Sequence, residues 1–348
     1  MSTRVAINGF GRIGRAFFRI AFERPELEIV AINDLGDVEN LAYLLKYDSA
    51  YGKFAHDVRA EKGEAFSKLI VDGREVAFLS QKDPLALKWG EHGVDIVVES
   101  TGVFDSFEKS KVHLDSGAKR VVISAPVKDD APPGIEAATV LMGLNEEKLE
   151  HCQISSNASC TTNAGSPLMQ ILHEAIGVQK AMLSTVHAYT ATQSLVDSPA
   201  KGDWRRGRAA AHNISPSSTG AAVAVTKAIP ELTGKFDGLA FRVPVITGSL
   251  ADITFLAKRP TSAEEVNSIL KEAAGQERWK KVFAVTEEQL VSSDIIGDSH
   301  AAIADLAFTR VVDGDLVKVL SWYDNEMGYT HALVEHVITS GKFIVSSA

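Results

Sequence analysis

The N-terminal part of the chain alternates short apolar runs with turn residues in an order that predicts strand, helix and strand. Residues 4–8 and 27–32 are mainly apolar runs, and residues 15–22 between them repeat apolar side chains at helical spacing. Apolar strands of this length are typical of parallel sheets that are buried on both faces. The pattern therefore predicts an α/β domain.

The turn between the first strand and the helix contains Gly9, Gly11 and Gly14, which match the spacing G-x-G-x-x-G. In this context the glycines permit a tight turn, a close backbone approach to a pyrophosphate and close helix–strand packing. Asp34 follows the second strand, where a carboxylate can bind the ribose 2′-hydroxyl of NAD and repel a 2′-phosphate. The alternative role for Asp34 is a helix cap or turn residue. The pattern favours a dinucleotide-binding domain.

The rest of the first half reads as further strands. Residues 40–89 alternate short strands and turns, and buried strands are expected at 95–102, 120–126 and 140–143, with a polar surface loop at 128–136. Thr101 and Ser124 fall at strand ends, on the edge where open α/β sheets bind ligands. Serine and threonine at such positions are also common turn formers.

Beyond residue 160 the predicted strands become longer and the helices fewer. Strands are expected at residues 180–189, 239–245, 249–258, 304–312 and 316–323, and a closing helix at 327–338. This pattern predicts a mixed or antiparallel sheet, which differs from the architecture of the first half.

Cys160 lies among small hydroxyl and amide residues and precedes an apolar helical pattern at 167–176. It is therefore expected at a helix N-terminus, where free N–H groups and the helix dipole lower a thiol pKa. The alternative is a small buried core thiol. His187, at a predicted strand end, could activate the thiol as a thiolate–imidazolium pair or could be a hydrogen-bonded structural residue.

The irregular segment 190–218 is long for a compact protein, which is typical of a functional loop. Arginine binds phosphate bidentately, and hydroxyl and backbone N–H groups supply further donors. The candidates for holding phosphate are Thr190, Arg205, Arg206, Arg208, Thr219, Gly220 and Arg242. The alternative for each arginine is a solvated charged surface.

Composition narrows the class of protein. The 348 residues suffice for about two domains, and the net charge of −9 argues against a generic polyanion-binding surface. Two cysteines, Cys152 and Cys160, imply no disulfide framework. The N-terminus lacks the apolar region of a signal peptide, and no apolar run is long enough to span a bilayer. We expect a cytoplasmic protein that requires no nucleic acid, membrane or metal.

Several segments together carry a resemblance to a known family. They are NGFGRIGR at 8–15, AINDL at 31–35, LKYD at 45–48, ESTG at 99–102, SNASCTTN at 156–163, SSTGAA at 217–222 and WYDNE at 322–326. The chain resembles phosphorylating glyceraldehyde-3-phosphate dehydrogenases over essentially its whole length. The resemblance implies a Rossmann-type NAD-binding domain at residues 1–159, joined by the C-terminal helix at about 325–348, and an α+β catalytic domain with a mixed or antiparallel sheet at 160–324.

The resemblance also implies residue roles and partners. Cys160 would be the nucleophile and His187 its base, acting on a triose phosphate with NAD and inorganic phosphate. Thr190 and Arg242 would bind the substrate phosphate. The attacking phosphate would contact Ser159, Thr161, Thr219 and Gly220, with Arg206 close to both sites. NAD would be bound by Gly9, Gly11, Arg12, Ile13, Gly14, Asp34, Lys82, Thr101, Ser124 and Asn325. A homotetramer is implied, with the 190–218 loop at the subunit interface.

Three features depart from the family pattern. Ala164 stands where many members have a second cysteine, Lys82 stands where an arginine often contacts the cofactor, and the 128–138 region is longer than usual.

Two other functions stay open: erythrose-4-phosphate dehydrogenase, against which Thr190 argues, and a non-catalytic binding protein, against which Cys160 and His187 argue. The sequence leaves the physiological direction, glycolytic or gluconeogenic, open.

Overall fold

The computed structural model describes residues 2–63 and 66–345. Contacts divide the chain into two compact units, residues 1–158 together with 333–348, and residues 159–332. No helix in the described part of the chain is long and apolar enough to cross a membrane.

The first unit is built on a largely parallel sheet. Its elements in the described ranges are β1 (Thr3–Asn8), α1 (Arg12–Ala21), β2 (Leu27–Asn33), α2 (Val38–Lys46), β3 (Tyr47–Asp48), β4 (Gly52–Lys53), β5 (Val58–Glu61), β6 (Ser67–Val71), β7 (Arg74–Leu79), β8 (Ile96–Glu99), α3 (Phe107–Asp115), β9 (Arg120–Ile123), β10 (Ala137–Thr139) and β11 (Ile154–Ser156). The strand order is β10-β11-β9-β8-β1-β2-β7-β6-β5. Pairing is parallel from β10 to β7 and antiparallel from β7 to β5. The predicted α/β architecture is confirmed.

The second unit contains a mixed sheet. Its elements are α4 (Cys160–Ile176), β12 (Val178–Ala188), β13 (Ser215–Ser218), α5 (Ala221–Ala228), β14 (Phe236–Val243), β15 (Ser249–Ala257), α6 (Ala263–Ala274), β16 (Phe283–Thr286), β17 (Ala302–Asp305), β18 (Arg310–Val312), β19 (Leu316–Tyr323) and the start of α7 (Met327–Val345). The strand order is β13-β14-β12-β15-β19-β17-β16, with β18 beside β19. β12 pairs with β14 in parallel and with β15 antiparallel, which confirms the predicted mixed sheet.

Three local predictions were wrong. The 40–89 region begins in a helix, because the Asp37 side chain accepts from the N–H groups of Glu39 and Asn40 and caps α2. The strand expected at 140–143 lies at 137–139, since Asn145 donates to the Thr139 carbonyl and accepts from the Leu141 N–H, and so ends the strand in a turn. The strand expected at 304–312 is interrupted, because Asp305 caps a short 3₁₀ turn before β18.

The glycine turn after β1 is packed against backbone. Gly9 adopts φ +96°, and a Cβ on it would lie 2.6 Å from the Thr101 nitrogen. A Cβ on Gly14 would lie 2.1 Å from the Gly9 carbonyl oxygen, whereas a Cβ on Gly11 would meet no atom within 4 Å. Two of the glycines are therefore needed by the fold itself, and Gly11 leaves open space at the start of α1.

These distances predict different outcomes for two alanine substitutions. Gly14→Ala should destabilise the protein by about 1–3 kcal/mol, because backbone must shift to accommodate the Cβ. Gly11→Ala should change stability by less than about 0.5 kcal/mol, since the methyl group meets no atom of the protein. It should weaken NAD binding, because the methyl group takes up the space through which a pyrophosphate would approach the backbone. Thermal unfolding and NAD titration of both variants measure this difference. Equal losses of stability would contradict the packing described for the turn.

Candidate active site

In the first unit, a cavity of about 430 Å³ opens where β1, β2 and β8 end. It is lined by Asn8, Gly9, Gly11, Asn33, Asp34, Leu35, Gln81, Lys82, Pro84, Ser100, Thr101, Val103 and Phe104. Five of the predicted cofactor residues lie on it, namely Gly9, Gly11, Asp34, Lys82 and Thr101. The cavity therefore lies at the edge of the parallel sheet where ligands of open α/β folds bind.

The cavity fits a dinucleotide in two respects. The N-terminus of α1 follows Gly11, so its free N–H groups and the positive end of its dipole are available to a pyrophosphate. The open space beside the Gly11 Cα leaves room for that group to approach the backbone. The residues present thus suit the binding of NAD.

Asp34 has a structural contact as well. Its Oδ2 accepts from the Phe10 N–H at 2.7 Å and its Oδ1 accepts from the Gly36 N–H at 2.8 Å. Asp34 therefore does stabilise a turn, which is the alternative role considered for it. A carboxylate has about four lone-pair positions, so capacity remains for a ribose hydroxyl.

Other predicted cofactor residues make different contacts. Arg12 pairs with Asp48 at 2.6 Å, and the Ser124 N–H donates to the Glu99 carbonyl at 2.9 Å. Ile13 follows Arg12 in the first turn of α1, and Gly14 packs under the turn. None of these four appears among the residues that line the cavity within the described chain.

Sequence reasoning missed a buried polar network beneath this cavity. The Glu99 carboxylate accepts from Asn8 Nδ2 at 2.5 Å, from the Thr101 N–H at 2.8 Å and from His113 Nε2 at 3.0 Å. Asn8 Oδ1 in turn accepts from Asn33 Nδ2 at 2.7 Å. The available signal was the polar residue that ends each of β1, β2 and β8, three strands that are otherwise mainly apolar.

In the second unit, Cys160 is the first residue of α4, as predicted. Ser159 caps the helix, since its Oγ accepts from the Thr162 N–H at 3.1 Å. Cys160 is partly exposed, and its Sγ lies 3.3 Å from Nε2 of His187 on β12. The candidate nucleophile and the candidate base are therefore in direct contact.

His187 is held by its other ring nitrogen. Nδ1 lies 2.7 Å from the Ala188 carbonyl oxygen and 2.8 Å from a guanidinium nitrogen of Arg242, its register partner on β14. If Nδ1 carries its proton it donates to this carbonyl, to which Arg242 also donates at 3.1 Å, and Nε2 is left as an acceptor for the thiol proton. This tautomer is the one that can act as a base toward Cys160.

Burial opposes the lowering of the thiol pKa that is expected from the helix start. Burial raises the pKa of Cys160, and the smaller opposing effects of Arg242 and of hydrogen bonds at the helix start do not cancel it. Burial, with a further contribution from Arg242, lowers the pKa of His187 to about 3. Both directions favour the neutral forms, a thiol at Cys160 and an imidazole at His187, and Nε2 lies where it could accept the thiol proton.

The first turns of α4 and α5 lie side by side, because the Thr162 hydroxyl is 3.5 Å from the Ala221 carbonyl oxygen. Gly220 precedes α5 without a side-chain cap, and Thr219 Oγ1 accepts from the Ala221 N–H at 3.2 Å. The structure thus brings Ser159, Thr219 and Gly220 to one region with two positive helix ends.

The remaining candidates are arranged around this region in different ways. Arg206 donates to Ser217 at 3.4 Å. Burial lowers the pKa of Arg242, and the charge of Arg206 makes a smaller contribution in the same direction. Thr190 contacts Thr192 at 2.9 Å, and the Thr161 hydroxyl contacts Tyr323 at 2.9 Å. Arg205 and Arg208 pair with Asp203 and Asp197 on the loop surface, which is the solvated role considered for them.

Asn325 is linked to the strand that carries His187. Its Oδ1 accepts from Ser249 Oγ at 2.8 Å, and Ser249 Oγ accepts from the Ala188 N–H at 3.1 Å. No group of three or more His, Cys, Asp or Glu residues in the described ranges could hold a metal ion.

Comparison with known proteins agrees with this chemistry. Residues 3–107 match the glyceraldehyde 3-phosphate dehydrogenase NAD binding domain, and residues 159–325 match the C-terminal domain of the same enzyme. The chain is 45% identical over 346 residues to glyceraldehyde-3-phosphate dehydrogenase B of Aspergillus oryzae, covering 98% of this chain and 100% of that protein.

Bacterial relatives are similar to the same degree. Identity is 47% over 338 residues with glyceraldehyde-3-phosphate dehydrogenase of Geobacillus stearothermophilus, covering 96% of this chain and 97% of the relative. The Streptomyces coelicolor enzyme of that name is 45% identical over 345 residues, covering 98% and 99%. The chain therefore belongs to the glyceraldehyde-3-phosphate dehydrogenase family.

Proposed function

We propose that this protein oxidises D-glyceraldehyde 3-phosphate to 1,3-bisphosphoglycerate with NAD and inorganic phosphate. The observation that carries the proposal is the 3.3 Å contact between Cys160 Sγ and His187 Nε2 at the start of α4. Family membership agrees with it, because the relatives carry the name of this enzyme.

In the proposed reaction, Cys160 and His187 act in successive steps. The thiol proton passes to His187 Nε2 while sulfur bonds to the aldehyde carbon. The protonated His187 then gives that proton to the carbonyl oxygen, which leaves a thiohemiacetal on Cys160 and a neutral His187. NAD, when bound, accepts the hydride that this carbon loses. His187 takes the hydroxyl proton as the thioester forms. Phosphate oxygen then attacks the thioester carbon, and the Cys160 thiolate leaves.

We propose that charge and helix ends hold the phosphates. Arg242 and Thr190 bind the substrate phosphate, with Arg206 nearby. Ser159, Thr161, Thr219 and Gly220 bind the attacking phosphate at the adjoining starts of α4 and α5. The 3.5 Å contact between Thr162 and Ala221 supports a shared site, since it places two positive helix ends together.

The proposed cofactor residues are those expected from the sequence: Gly9, Gly11, Arg12, Ile13, Gly14, Asp34, Lys82, Thr101, Ser124 and Asn325.

The two compact units meet along the chain at residues 158/159 and 332/333. This supports an NAD-binding domain at 1–159 joined by 325–348, and a catalytic domain at 160–324. A cytoplasmic location fits the two free cysteines, and cell fractionation with an activity assay would test it.

We also propose a homotetramer, on the basis of exposed apolar surface. In the 190–218 loop, Leu195 is 81% exposed and Trp204 is 82% exposed. Met182 and Val186 on β12 and Leu239 on β14 form an exposed apolar face on the sheet. Such surfaces on a single chain are typical of subunit contacts.

The activity is tested by NADH formation from glyceraldehyde 3-phosphate, NAD and phosphate. Cys160→Ser should lower turnover at least about 10³-fold with NAD binding retained, because a hydroxyl is a far weaker nucleophile than a thiolate. Cys152→Ala, at the other cysteine, should keep wild-type turnover.

Three outcomes would contradict this proposal. Wild-type turnover in Cys160→Ser would exclude the covalent route. Faster turnover of erythrose 4-phosphate would favour the erythrose-4-phosphate enzyme. NAD binding without NADH formation from either aldehyde would favour a non-catalytic protein.

Cofactor choice is predicted to depend on the charge of Asp34. Asp34→Asn should reduce the preference for NAD over NADP by about tenfold to a hundredfold, because the repulsion of a 2′-phosphate is removed. The measurement is kcat/KM for both cofactors. Asp37→Asn removes a neighbouring carboxylate that caps α2 and serves as the matched control. An equal change of preference in both variants would show that net charge, rather than Asp34, discriminates.

The assembly is predicted to depend on the exposed loop. Sedimentation velocity should give the mass of four chains for the wild type, and Trp204→Glu should shift the population toward smaller species, because a charge is then buried in the contact. Val291→Glu, at another exposed apolar residue outside the loop and the sheet face, should keep the wild-type mass. A monomeric wild type would refute the tetramer.

A further inference from the structure

The buried network beneath the cavity of the first unit begins and ends at groups that can only donate. At one end, the Gln81 N–H donates to Asn33 Oδ1 at 2.9 Å. At the other end, the indole N–H of Trp89 donates to His113 Nδ1 at 3.1 Å. A backbone N–H and an indole N–H do not accept hydrogen bonds, so these two groups fix the direction of the bonds that lie between them.

From Gln81 the direction runs through two asparagines. Because Asn33 Oδ1 accepts from the backbone, Asn33 Nδ2 faces Asn8 and donates to its Oδ1 at 2.7 Å. Asn8 therefore turns its own Nδ2 toward Glu99, to which it donates at 2.5 Å. Flipping either amide would set two N–H groups against each other, so this order of donors is fixed.

From Trp89 the direction runs through a histidine. Since His113 Nδ1 accepts from the indole, the ring proton lies on Nε2, which donates to Glu99 at 3.0 Å. His113 lies on α3 and is fully buried. Glu99 thus receives a donor from each end of the network, and both donors bond to the same carboxylate oxygen, Oε2.

Thr101 connects this network to the wall of the cavity. Its N–H donates to Glu99 Oε1 at 2.8 Å, and its hydroxyl donates to the same oxygen at 2.5 Å. The hydroxyl oxygen of Thr101 accepts from the Val103 N–H at 3.0 Å. The bonded residues that line the cavity are Asn8, Asn33, Gln81, Thr101 and Val103.

We infer that Glu99 is a positioning residue for cofactor binding: as the acceptor shared by both ends of the network, it holds the ends of β1, β2 and β8 in the wall of the cavity. Glu99, His113 and Trp89 are not among the residues that line the cavity in the described part of the chain. A bound ligand therefore meets Asn8 and Thr101, and Glu99 acts through them. This inference rests on the proposed binding of NAD in this cavity.

The test is titration calorimetry with NAD and, separately, with NADH. Glu99→Gln keeps the size of the side chain and replaces one carboxylate oxygen by an amide NH₂. Whichever way the amide turns, it faces N–H donors, either that of Thr101 or those of Asn8 and His113. Part of the wall must then move, so Kd should rise about five- to fiftyfold for both cofactors.

The two cofactors separate positioning from a direct effect of charge. Only the oxidised nicotinamide is positively charged, so a loss of affinity limited to NAD would overturn the inference and indicate an electrostatic role of Glu99. Unchanged Kd values for both cofactors would also overturn it. A wild type that binds neither cofactor would refute the proposed NAD site itself, and this result is recognised before any variant is compared.

His113 provides a pair of variants that leave Glu99 in place. His113→Gln keeps an N–H donor near the position of Nε2, whereas His113→Leu removes the donor at similar volume. Kd for NAD should rise about three- to tenfold in His113→Leu and less than about twofold in His113→Gln. Equal rises in the two variants would overturn the inference, because packing of the ring would then account for them. This pair also decides the question if Glu99→Gln does not fold.

Asn145→Ala is the matched control for lost stability. Asn145 is buried in the same unit and bonds to the backbone of Thr139 and Leu141, none of which lines the cavity. The variant should lower the unfolding temperature, as Glu99→Gln does, and should keep the wild-type Kd for both cofactors. A comparable loss of affinity in Asn145→Ala would overturn the inference, since destabilising the unit anywhere would then suffice.

Discussion

The contact between Cys160 and His187 depends on the pairing register of β12. This strand pairs with β14 on one side and β15 on the other, and the parallel register sets His187 opposite Arg242. Because side chains alternate between the two faces of a strand, a slip by one residue would turn His187 outward to where Val186 now lies. Leu183 and Thr185, both fully buried on β12, oppose such a slip because it would expose them.

Buried polar groups specify the geometry of both units. Glu99 below the cavity of the first unit and Tyr323 beside Cys160 each have several hydrogen-bond partners. Burying such groups is unfavourable unless they are paired, and losing one partner leaves another unsatisfied. These networks therefore add little net stability, but they exclude alternative arrangements of the strand ends on which the sites are built.

Local signals in the sequence were sufficient to predict part of this structure. The glycine turn and the helix that begins at Cys160 were predicted because a few adjacent residues determine each of them. The strand expected at 140–143 was misplaced because Asn145, rather than the apolar run, decides where pairing stops. The helix after Asp37 was missed because its short apolar pattern does not distinguish helix from strand, and the cap was not recognised. The effect of burial on the pKa values of Cys160 and His187 had no signal in the sequence, since burial is a property of the folded chain.

The position of Arg242 beside His187 has a consequence for the order of events at the site. The guanidinium lies 2.8 Å from Nδ1 and disfavours a second positive charge on the imidazole. An anion bound to Arg242 offsets that charge, and so increases the affinity of His187 for a proton. By thermodynamic reciprocity, a proton on His187 increases the affinity of the site for the anion by the same factor. His187 therefore binds a proton most weakly in the empty site and more strongly once an anion is bound at Arg242. Transfer of the Cys160 proton to His187 then becomes more favourable when the anion is present.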